Sequence, residues 1–208
     1  GVAMALDLMM RDQFKDISLD SLMQRAWQVH GKTEQPYSAD DLRDVLAQVT
    51  SDEEFAEAFF ARFVSGREIP DFGKLLDKAG FILRHANEGA ASAGPVSLGF
   101  VGEAAIIQNN TIVGTPLYEA GLDRGDQVIA IDRLKIRNQE QWDAALERYK
   151  PGDVATIHYK QREILRSSPL TFSTDDTLEL VTYESEEQQL SHSQQAFRTR
   201  WLGPDSEE

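Results

Sequence analysis

The spacing of apolar residues along the chain changes from a helical to a strand-like period near position 90. Before that point apolar residues recur every three or four positions, which predicts a series of amphipathic helices. From Val96 onward they alternate with polar residues in short runs, and these runs predict strands at SLGF, AAIIQ, TIV, QVIAI, VATIHY and LTF. One helix, over Gln139–Tyr149, interrupts the strands. The pattern therefore predicts an α+β protein with an all-helical first part.

Capping residues mark where the helices of the first part begin. Ser18 precedes one apolar helical pattern, and the pairs Ser38 with Asp41 and Ser51 with Glu54 have the spacing of capping boxes. A further short helix is predicted over 72–78, and the residues FILR that follow it are expected to be extended. The tail from 174 to 208 offers one strand, LELVTY, then a polar helix near 186–201 and an acidic end.

The first helix is apolar on nearly every side. Val2, Leu6 and Met9 have helical spacing, while Leu8 and Met10 fill other faces, and no capping residue precedes them. A helix of this kind belongs inside a larger protein. We therefore expect the chain to be a fragment of a longer protein; a buried first helix of a small all-α domain is the alternative.

Residues 88–95, EGAASAGP, are small, prone to turns and without a periodic pattern, which is typical of a linker. This prediction divides the chain into a helical segment over 1–87, a linker over 88–95, a small domain over 96–173 and a C-terminal segment over 174–208. The small domain combines short strands with one short and one longer helix, as in a barrel-like α+β fold.

Charge and composition restrict the partners that the chain could bind. It has 35 acidic and 21 basic residues and a formal net charge of −14, which opposes nonspecific attraction to nucleic acid or to an anionic membrane. No apolar run approaches the length needed to span a bilayer. The chain contains no cysteine, so disulfides and cysteine-ligated zinc are excluded.

The stretch PLYEAGLDRGDQVIAID (116–132) combines two tight turns with a strand. Pro116 begins a short helical turn that Gly121 closes, and Gly125 with Asp126 forms a second turn before the apolar alternation. Preceded by SLGF and followed by a helix and KPGDVATIHY, this stretch resembles a PDZ domain with the permuted strand order of bacterial proteases. One departure is Arg133-Leu134, where the family usually has a glycine turn.

The PDZ resemblance implies a binding site for the C-terminus of a peptide or protein. In that family a loop of the Leu98-Gly99-Phe100 type binds the terminal carboxylate through backbone N–H groups, and the ligand adds a strand against the longer helix. The peptide-binding residues that the resemblance implies are Leu98, Gly99, Phe100, Gln141, Trp142 and Ala145. The alternative is a PDZ domain that packs against its own chain and binds no free peptide.

The helical part has a resemblance of its own. GVAMALDLMMRD, SLDSLMQRAW, YSADDLRDVLAQVT and FFARFVSGREIPDFGKLLDKAGF are similar to the C-terminal helices of glycyl-aminopeptidase-type zinc metallopeptidases. Those enzymes have a thermolysin-like catalytic domain followed by a PDZ domain, and the order matches across residues 1–173. The resemblance therefore implies the C-terminal portion of a bacterial aminopeptidase of this type.

The zinc site of that family does not lie in this chain. The family uses H-E-x-x-H on one helix and a downstream glutamate, so that two imidazoles one turn apart hold the metal. The four histidines here, at positions 30, 85, 158 and 192, have no such spacing. We therefore expect no cofactor and no catalysis in this chain alone, with zinc carried by the parent enzyme.

Two classes of function remain open at this point. In the first, the chain is the non-catalytic end of a zinc aminopeptidase, whose partner is the remainder of the catalytic domain. In the second, it is a stand-alone binding or scaffold protein. A fragment is expected to expose apolar helical surface, through which it could dimerise, whereas a self-contained bundle is not. The cytoplasm and the periplasm remain equally open as compartments.

Overall fold

A computed structural model of the chain describes residues 1–32 and 34–203. These residues form two compact units. One consists of the described residues up to Arg84 together with those from Glu179 onward, and the other of His85–Leu178. The α+β class predicted from the sequence is confirmed. The described residues from Glu179 onward, which belong to the predicted C-terminal segment 174–208, cluster with the helical unit.

Helices build most of the first unit. They are α1 (Val2–Gln13), α2 (Leu19–Ala26), α3 (Ala39–Thr50), α4 (Glu53–Phe59) and α5 (Phe72–Asp77). Helices α2 and α4 each continue into one turn of π-helix, Trp27–Gly31 and Phe60–Val64 respectively. After α5 come strand β1 (Phe81–His85), which pairs with β10 (Leu178–Thr182), and helix α8 (His192–Leu202).

Two of the three predicted caps are confirmed. Ser18 caps α2, and Ser38 caps α3 in a capping box, where its hydroxyl accepts a hydrogen bond from the N–H of Asp41 at 3.2 Å. The predicted box at Ser51 is wrong. Ser51 has a φ of 56° and ends α3, while Asp52 caps α4 by accepting the Phe55 N–H at 2.8 Å. The chain needs a left-handed residue to turn between the two helices, so the cap moves to the next residue.

Helix α1 contacts two separate hydrophobic clusters, which accounts for its apolar character on all sides. Leu6 and Met10 pack with residues of α3 and α4, including Leu46. Ala5 and Leu8 pack in a second cluster with residues of α5 and with Phe197 of α8. These two faces of the helix are thus covered within the first unit, while Val2 and Met4 near its start remain exposed.

Helix α8 begins later than the predicted polar helix near 186–201. Glu187 has a φ of 57°, and the helix starts only after Ser191, whose hydroxyl accepts the Gln194 N–H. The helix is held to the end of α5 by Arg198, whose guanidinium donates to the carbonyls of Ala79 and Gly80 at 2.7 and 2.8 Å. These backbone acceptors fix the position of α8.

An antiparallel sheet forms the body of the second unit. Its strands are β3 (Leu98–Val101), β4 (Ala104–Ile107), β5 (Gln127–Ile131), β6 (Leu134–Lys135), β7 (Val154–Gln161) and β8 (Ile164–Thr171). They follow the order β3-β4-β5-β7-β8, and β6 pairs with β5. The short helix α6 (Pro116–Glu119) and the longer α7 (Gln139–Leu146) complete the unit around one core. Helix α7 ends three residues before the predicted end at Tyr149.

The predicted linker over 88–95 contains a strand. Strand β2 (Ala91–Ser92) pairs antiparallel with β9 (Ser173–Thr174), and Ala91 and Ala93 are buried in the core of the second unit. Alanines do not produce the apolar alternation that marks a strand, so the sequence gives no signal there.

The predicted strand TIV (111–113) is absent from the described structure. Ile112 and Val113 are 54% and 75% exposed, and the Thr111 hydroxyl donates a hydrogen bond to the carbonyl of Leu122. The two turns predicted within the following stretch, 116–132, are confirmed, since Gly121 and Gly125 have φ values of 87° and 89°. The β-branched residues of this segment therefore lie in a connecting loop.

Candidate peptide-binding site

Strand β3 lies at one edge of the six-stranded sheet. It pairs with β4 in the register Leu98↔Ile107, Gly99↔Ile106 and Phe100↔Ala105, and no other described strand pairs with it. An edge strand of this kind presents a row of backbone donors and acceptors that a further strand can use. The edge is therefore the feature of the second unit most suited to peptide recognition.

The register determines which backbone groups face the free edge. The Gln108 N–H donates to the Ser97 carbonyl at 2.9 Å, so the peptide groups of Ser97 face β4. The N–H of Ile107, opposite Leu98, donates instead to the backbone carbonyl of Asp126, the residue before β5. Because peptide groups alternate in direction along a strand, the N–H and C=O groups of Leu98 and Phe100 point outward.

Leu98, Gly99 and Phe100 belong to β3, whereas the PDZ resemblance implies a loop that binds a carboxylate through its backbone N–H groups. Gly99 pairs with Ile106, and it is not among the glycines with a positive φ. A Cβ at Gly99 would lie 2.8 Å from Cδ of Gln108, whose side chain crosses the strand there. The expected loop is thus replaced by an extended edge, and binding of a carboxylate by these residues stays a prediction.

Helix α7 contributes the other three predicted site residues. Asn138 caps it by accepting the Gln141 N–H at 2.9 Å. Trp142 and Ala145 are 4% and 1% exposed and pack in the core, while the Gln141 side chain accepts the backbone N–H of Arg137 at 2.9 Å. These side chains hold the helix in place, and their contact with a peptide stays a prediction.

An ion pair connects the end of β3 with the start of α7. Glu103, in the turn after β3, lies 3.2 Å from the guanidinium of Arg137, which precedes the helix. Both side chains are exposed, so the pair contributes little to stability. It nevertheless shows that the N-terminal end of α7 lies beside the far end of β3.

A cavity of about 640 Å³ lies near the residues that precede β3. Pro95 and Val96 line it together with Trp142 and Leu146 of α7, and the segment after β9 adds two aspartates, Asp175 and Asp176. Its wall is therefore apolar on the helix side and acidic on the other.

One of these aspartates is held in its ionised form by neighbouring groups. Hydrogen bonds from Thr177 and from the Asn87 side chain lower the pKa of Asp175 below its usual value. The acidic pair follows β9 directly along the chain. No local signal could have placed it beside α7, because the pairing of β2 with β9 brings it there.

Asp132 connects the turn after β5 with β7 and with the end of α7. Its carboxylate accepts the Thr156 N–H at 2.7 Å and the Tyr149 hydroxyl at 2.8 Å. These two hydrogen bonds lower the pKa of Asp132, while burial and the same contact raise the pKa of Tyr149 to about 12. With a φ of 50°, Asp132 also supplies the left-handed turn for which the PDZ resemblance expects glycine near Arg133.

The described residues contain no group of three or more histidine, aspartate or glutamate side chains arranged to hold a metal ion. Among the helices of the described part, none is both long and apolar enough to cross a membrane.

A crystal structure of an aminopeptidase N family protein from Idiomarina loihiensis has a similar fold. The likeness has a TM-score of 0.74 and 24% sequence identity, and it covers 98% of this chain and 35% of that one. This chain therefore spans about a third of the length of its neighbour. At this identity the likeness shows an aminopeptidase-related fold and no more.

A much weaker likeness is to the HtrA-type protease AlgW with a decapeptide. It has a TM-score of 0.38 and 13% identity, and it covers 41% of this chain and 30% of that one. These values are too low to define a shared fold. No protein-family model matches the chain, and no curated protein matches it.

The contacts of Asp132 predict a pH-dependent contribution to stability. Asp132→Ala removes two hydrogen bonds and leaves alanine in a left-handed conformation, so we expect the free energy of unfolding to fall by about 2 kcal/mol at pH 7. Asp132→Asn tolerates the conformation and keeps an accepting oxygen, so it should lose less than half as much. Urea unfolding followed by circular dichroism measures both.

Because the folded-state pKa of Asp132 is lowered, its contribution is complete above the unfolded value near pH 4 and is lost as the pH falls through the lowered value. The difference in the free energy of unfolding between the unmodified protein and Asp132→Ala should therefore shrink as the pH falls from 5 toward 2. The comparison uses those pH values at which both proteins are folded. Equal losses for the alanine and asparagine variants, or a difference that does not vary with pH, would contradict this assignment.

Proposed function

We propose that the second unit is a PDZ-like module that binds a peptide as an additional strand at the free edge of β3. The observation that carries the proposal is the outward direction of the N–H and C=O groups of Leu98 and Phe100. Within the described residues these groups have no hydrogen-bond partner. A bound peptide would satisfy them and extend the sheet by one strand.

The cavity near the start of β3 favours a particular peptide chemistry. Trp142 and Leu146 offer an apolar wall to one side chain of the ligand, and Asp175 and Asp176 offer negative charge to another. We infer that the preferred ligand is a peptide C-terminus that carries an apolar residue and a nearby lysine or arginine. Charge-assisted contacts with the aspartates would then add to the backbone hydrogen bonds.

We propose further that the chain is the non-catalytic C-terminal portion of a zinc aminopeptidase. The sequence resemblance of the helical part supports this, and so does the shared fold with an aminopeptidase N family protein, which extends over both units. In this proposal the rest of the parent protein carries the zinc and the catalysis, and the peptide-binding edge positions substrates. The stand-alone scaffold remains the alternative, and exposed apolar surface distinguishes the two.

Such a surface lies on α2 and its π-helical extension. Met23 and Trp27, one helical turn apart, are 60% and 62% exposed. The Trp27 ring lies against Gly31, where any side chain would collide with it. Two large apolar side chains on one exposed face are typical of a surface that another protein segment covers. We propose that the remainder of the parent catalytic domain is that segment.

The edge-strand proposal predicts a difference between two variants of one residue. Both Leu98→Pro and Leu98→Ala remove the leucine side chain, but only Leu98→Pro also removes the outward N–H. Proline is tolerated on an edge strand where its nitrogen faces outward. We expect the Leu98→Pro variant to bind peptide about tenfold more weakly than the Leu98→Ala variant does. This difference corresponds to about 1.4 kcal/mol, the contribution of one hydrogen bond. Calorimetry with peptides selected from a random C-terminal heptapeptide library measures this.

Two controls accompany this measurement. Thermal unfolding verifies that both variants fold, and a C-terminally amidated copy of the selected peptide tests whether the terminal carboxylate contributes. Equal affinities of the proline and alanine variants would contradict strand addition at β3. A library that yields no binding peptide would contradict peptide recognition by this unit.

The exposed helical face predicts binding of a hydrophobic dye. We expect Met23→Lys/Trp27→Lys to lower the fluorescence of bound anilinonaphthalene sulfonate by about half or more, since these side chains supply the exposed apolar face. Val113→Lys/Leu165→Lys is the matched control, because it changes two side chains that are exposed in the second unit by the same charge. The control variant should retain most of the dye fluorescence that the unmodified chain shows.

Sedimentation of the same variants shows whether this face also mediates dimerisation. If the chain self-associates through it, the lysine pair at 23 and 27 should yield monomers while the control pair does not. Equal loss of fluorescence in both double variants would contradict a dedicated apolar surface on α2, and would favour the self-contained scaffold.

A further inference from the structure

A second cavity, of about 540 Å³, lies on the other side of α7 from the acidic one. The two cavities share no residue; the first contacts Trp142 and Leu146, and the second contacts Ala145 and Arg148. Four of the residues that line the second cavity are cations, namely Arg133, Lys135, Arg137 and Arg148, and none is acidic. We call this cavity the basic cleft.

The fold builds the cleft from two elements that are close in sequence. The left-handed turn at Asp132 reverses the chain so that β6 pairs with β5, and this places Arg133 and Lys135 on one wall. On the opposite wall helical spacing puts Gln141, Ala145 and Arg148 on one face of α7 and its C-terminal turn. The alanine is small, so space remains between the two walls.

The cations of the cleft are available for an external partner. Among the described residues Arg133, Lys135 and Arg148 form no ion pair, and the pair of Arg137 with Glu103 at 3.2 Å is exposed on both sides. Two carboxylates are adjacent to these cations in sequence. Asp132 is engaged by Thr156 and Tyr149, and Glu147 does not line the cleft. Positive charge is therefore concentrated at one place in a chain with a formal net charge of −14.

A neighbouring cavity adjoins the cleft. It has a volume of about 580 Å³, shares Arg133, Leu134 and Arg148 with the cleft, and continues past the Asp132 carboxylate toward Thr156 and His158. The wall from Gln141 to Arg148 alone is about 10 Å long at 1.5 Å per helical residue. That length matches about three residues of extended peptide.

We propose that the basic cleft binds an acidic segment of a protein partner, at a site separate from the edge of β3. Guanidinium groups bind carboxylates through paired hydrogen bonds, and two or three glutamate or aspartate side chains would match the cations on the two walls. A long polyanion such as nucleic acid is disfavoured, because the net charge of the whole chain repels it beyond the short cleft.

The test uses the full chain and a fluorescein-labelled peptide, Gly-Glu-Asp-Glu-Gly amide, whose blocked C-terminus removes the terminal carboxylate. Fluorescence anisotropy at low salt should show saturable binding that weakens as salt is added. The isosteric Gly-Gln-Asn-Gln-Gly amide should bind at least tenfold more weakly. A dT oligonucleotide of twelve residues serves as the competing polyanion.

Charge reversal identifies the site. Arg133→Glu/Arg148→Glu should weaken binding of the acidic peptide at least tenfold. Arg124→Glu/Arg166→Glu, at exposed positions outside the cleft, changes the net charge equally and should weaken it less than threefold. Leu98→Pro should bind the acidic peptide as the unmodified chain does, which separates this proposal from strand addition at β3. If charge reversal unfolds the unit, Arg148→Gln should still weaken binding about threefold.

Four results would overturn the proposal. These are absence of saturable binding, equal binding of the uncharged peptide, an equal loss in both charge-reversed variants, and tighter binding of the oligonucleotide than of the peptide through the same two arginines. The last result would assign the cleft to nucleic acid instead.

Discussion

The antiparallel register between β3 and β4 is the constraint on which the candidate site depends. The two residues Gly102 and Glu103 close the hairpin, and Gly102 has a φ of 61° there. This turn sets Val101 opposite Ala104 and so turns the backbone groups of Leu98 and Phe100 outward. A slip of one residue would instead turn the peptide groups of Gly99 and Val101 toward the free edge and would move every side chain of the strand to the other face of the sheet.

Helix α7 separates two surfaces of opposite charge. Trp142 and Ala145 anchor the helix in the core, and Asp132 holds the end of the helix to the sheet through Tyr149. On the side of β2 and β9 the cavity has an acidic wall at Asp175, while on the side of β6 the cleft is basic at Arg148. The two sides of this one helix therefore differ in the charge that they would present to a ligand.

Structural elements that depend on interactions between neighbouring residues could be predicted from the sequence. The caps at Ser18 and Ser38, the turns at Gly121 and Gly125, and most strands of the sheet follow from neighbouring residues. Long-range pairing does not leave such a signal. Strand β2 consists of small residues that become a strand only because β9, about 80 positions later, pairs with it. The acidic cavity and the basic cleft likewise depend on which distant segments the fold brings to α7, so composition alone could not place them.

Amide hydrogen exchange at β3, resolved by residue with NMR, tests strand addition most directly. In the free protein we expect fast exchange at Leu98 and Phe100 and slower exchange at Gly99 and Val101, whose N–H groups face β4. Saturation with a library-selected peptide should slow exchange at Leu98 and Phe100 at least tenfold. Protection of these two amides before any peptide is added, or no change in their exchange at saturation, would contradict strand addition at β3.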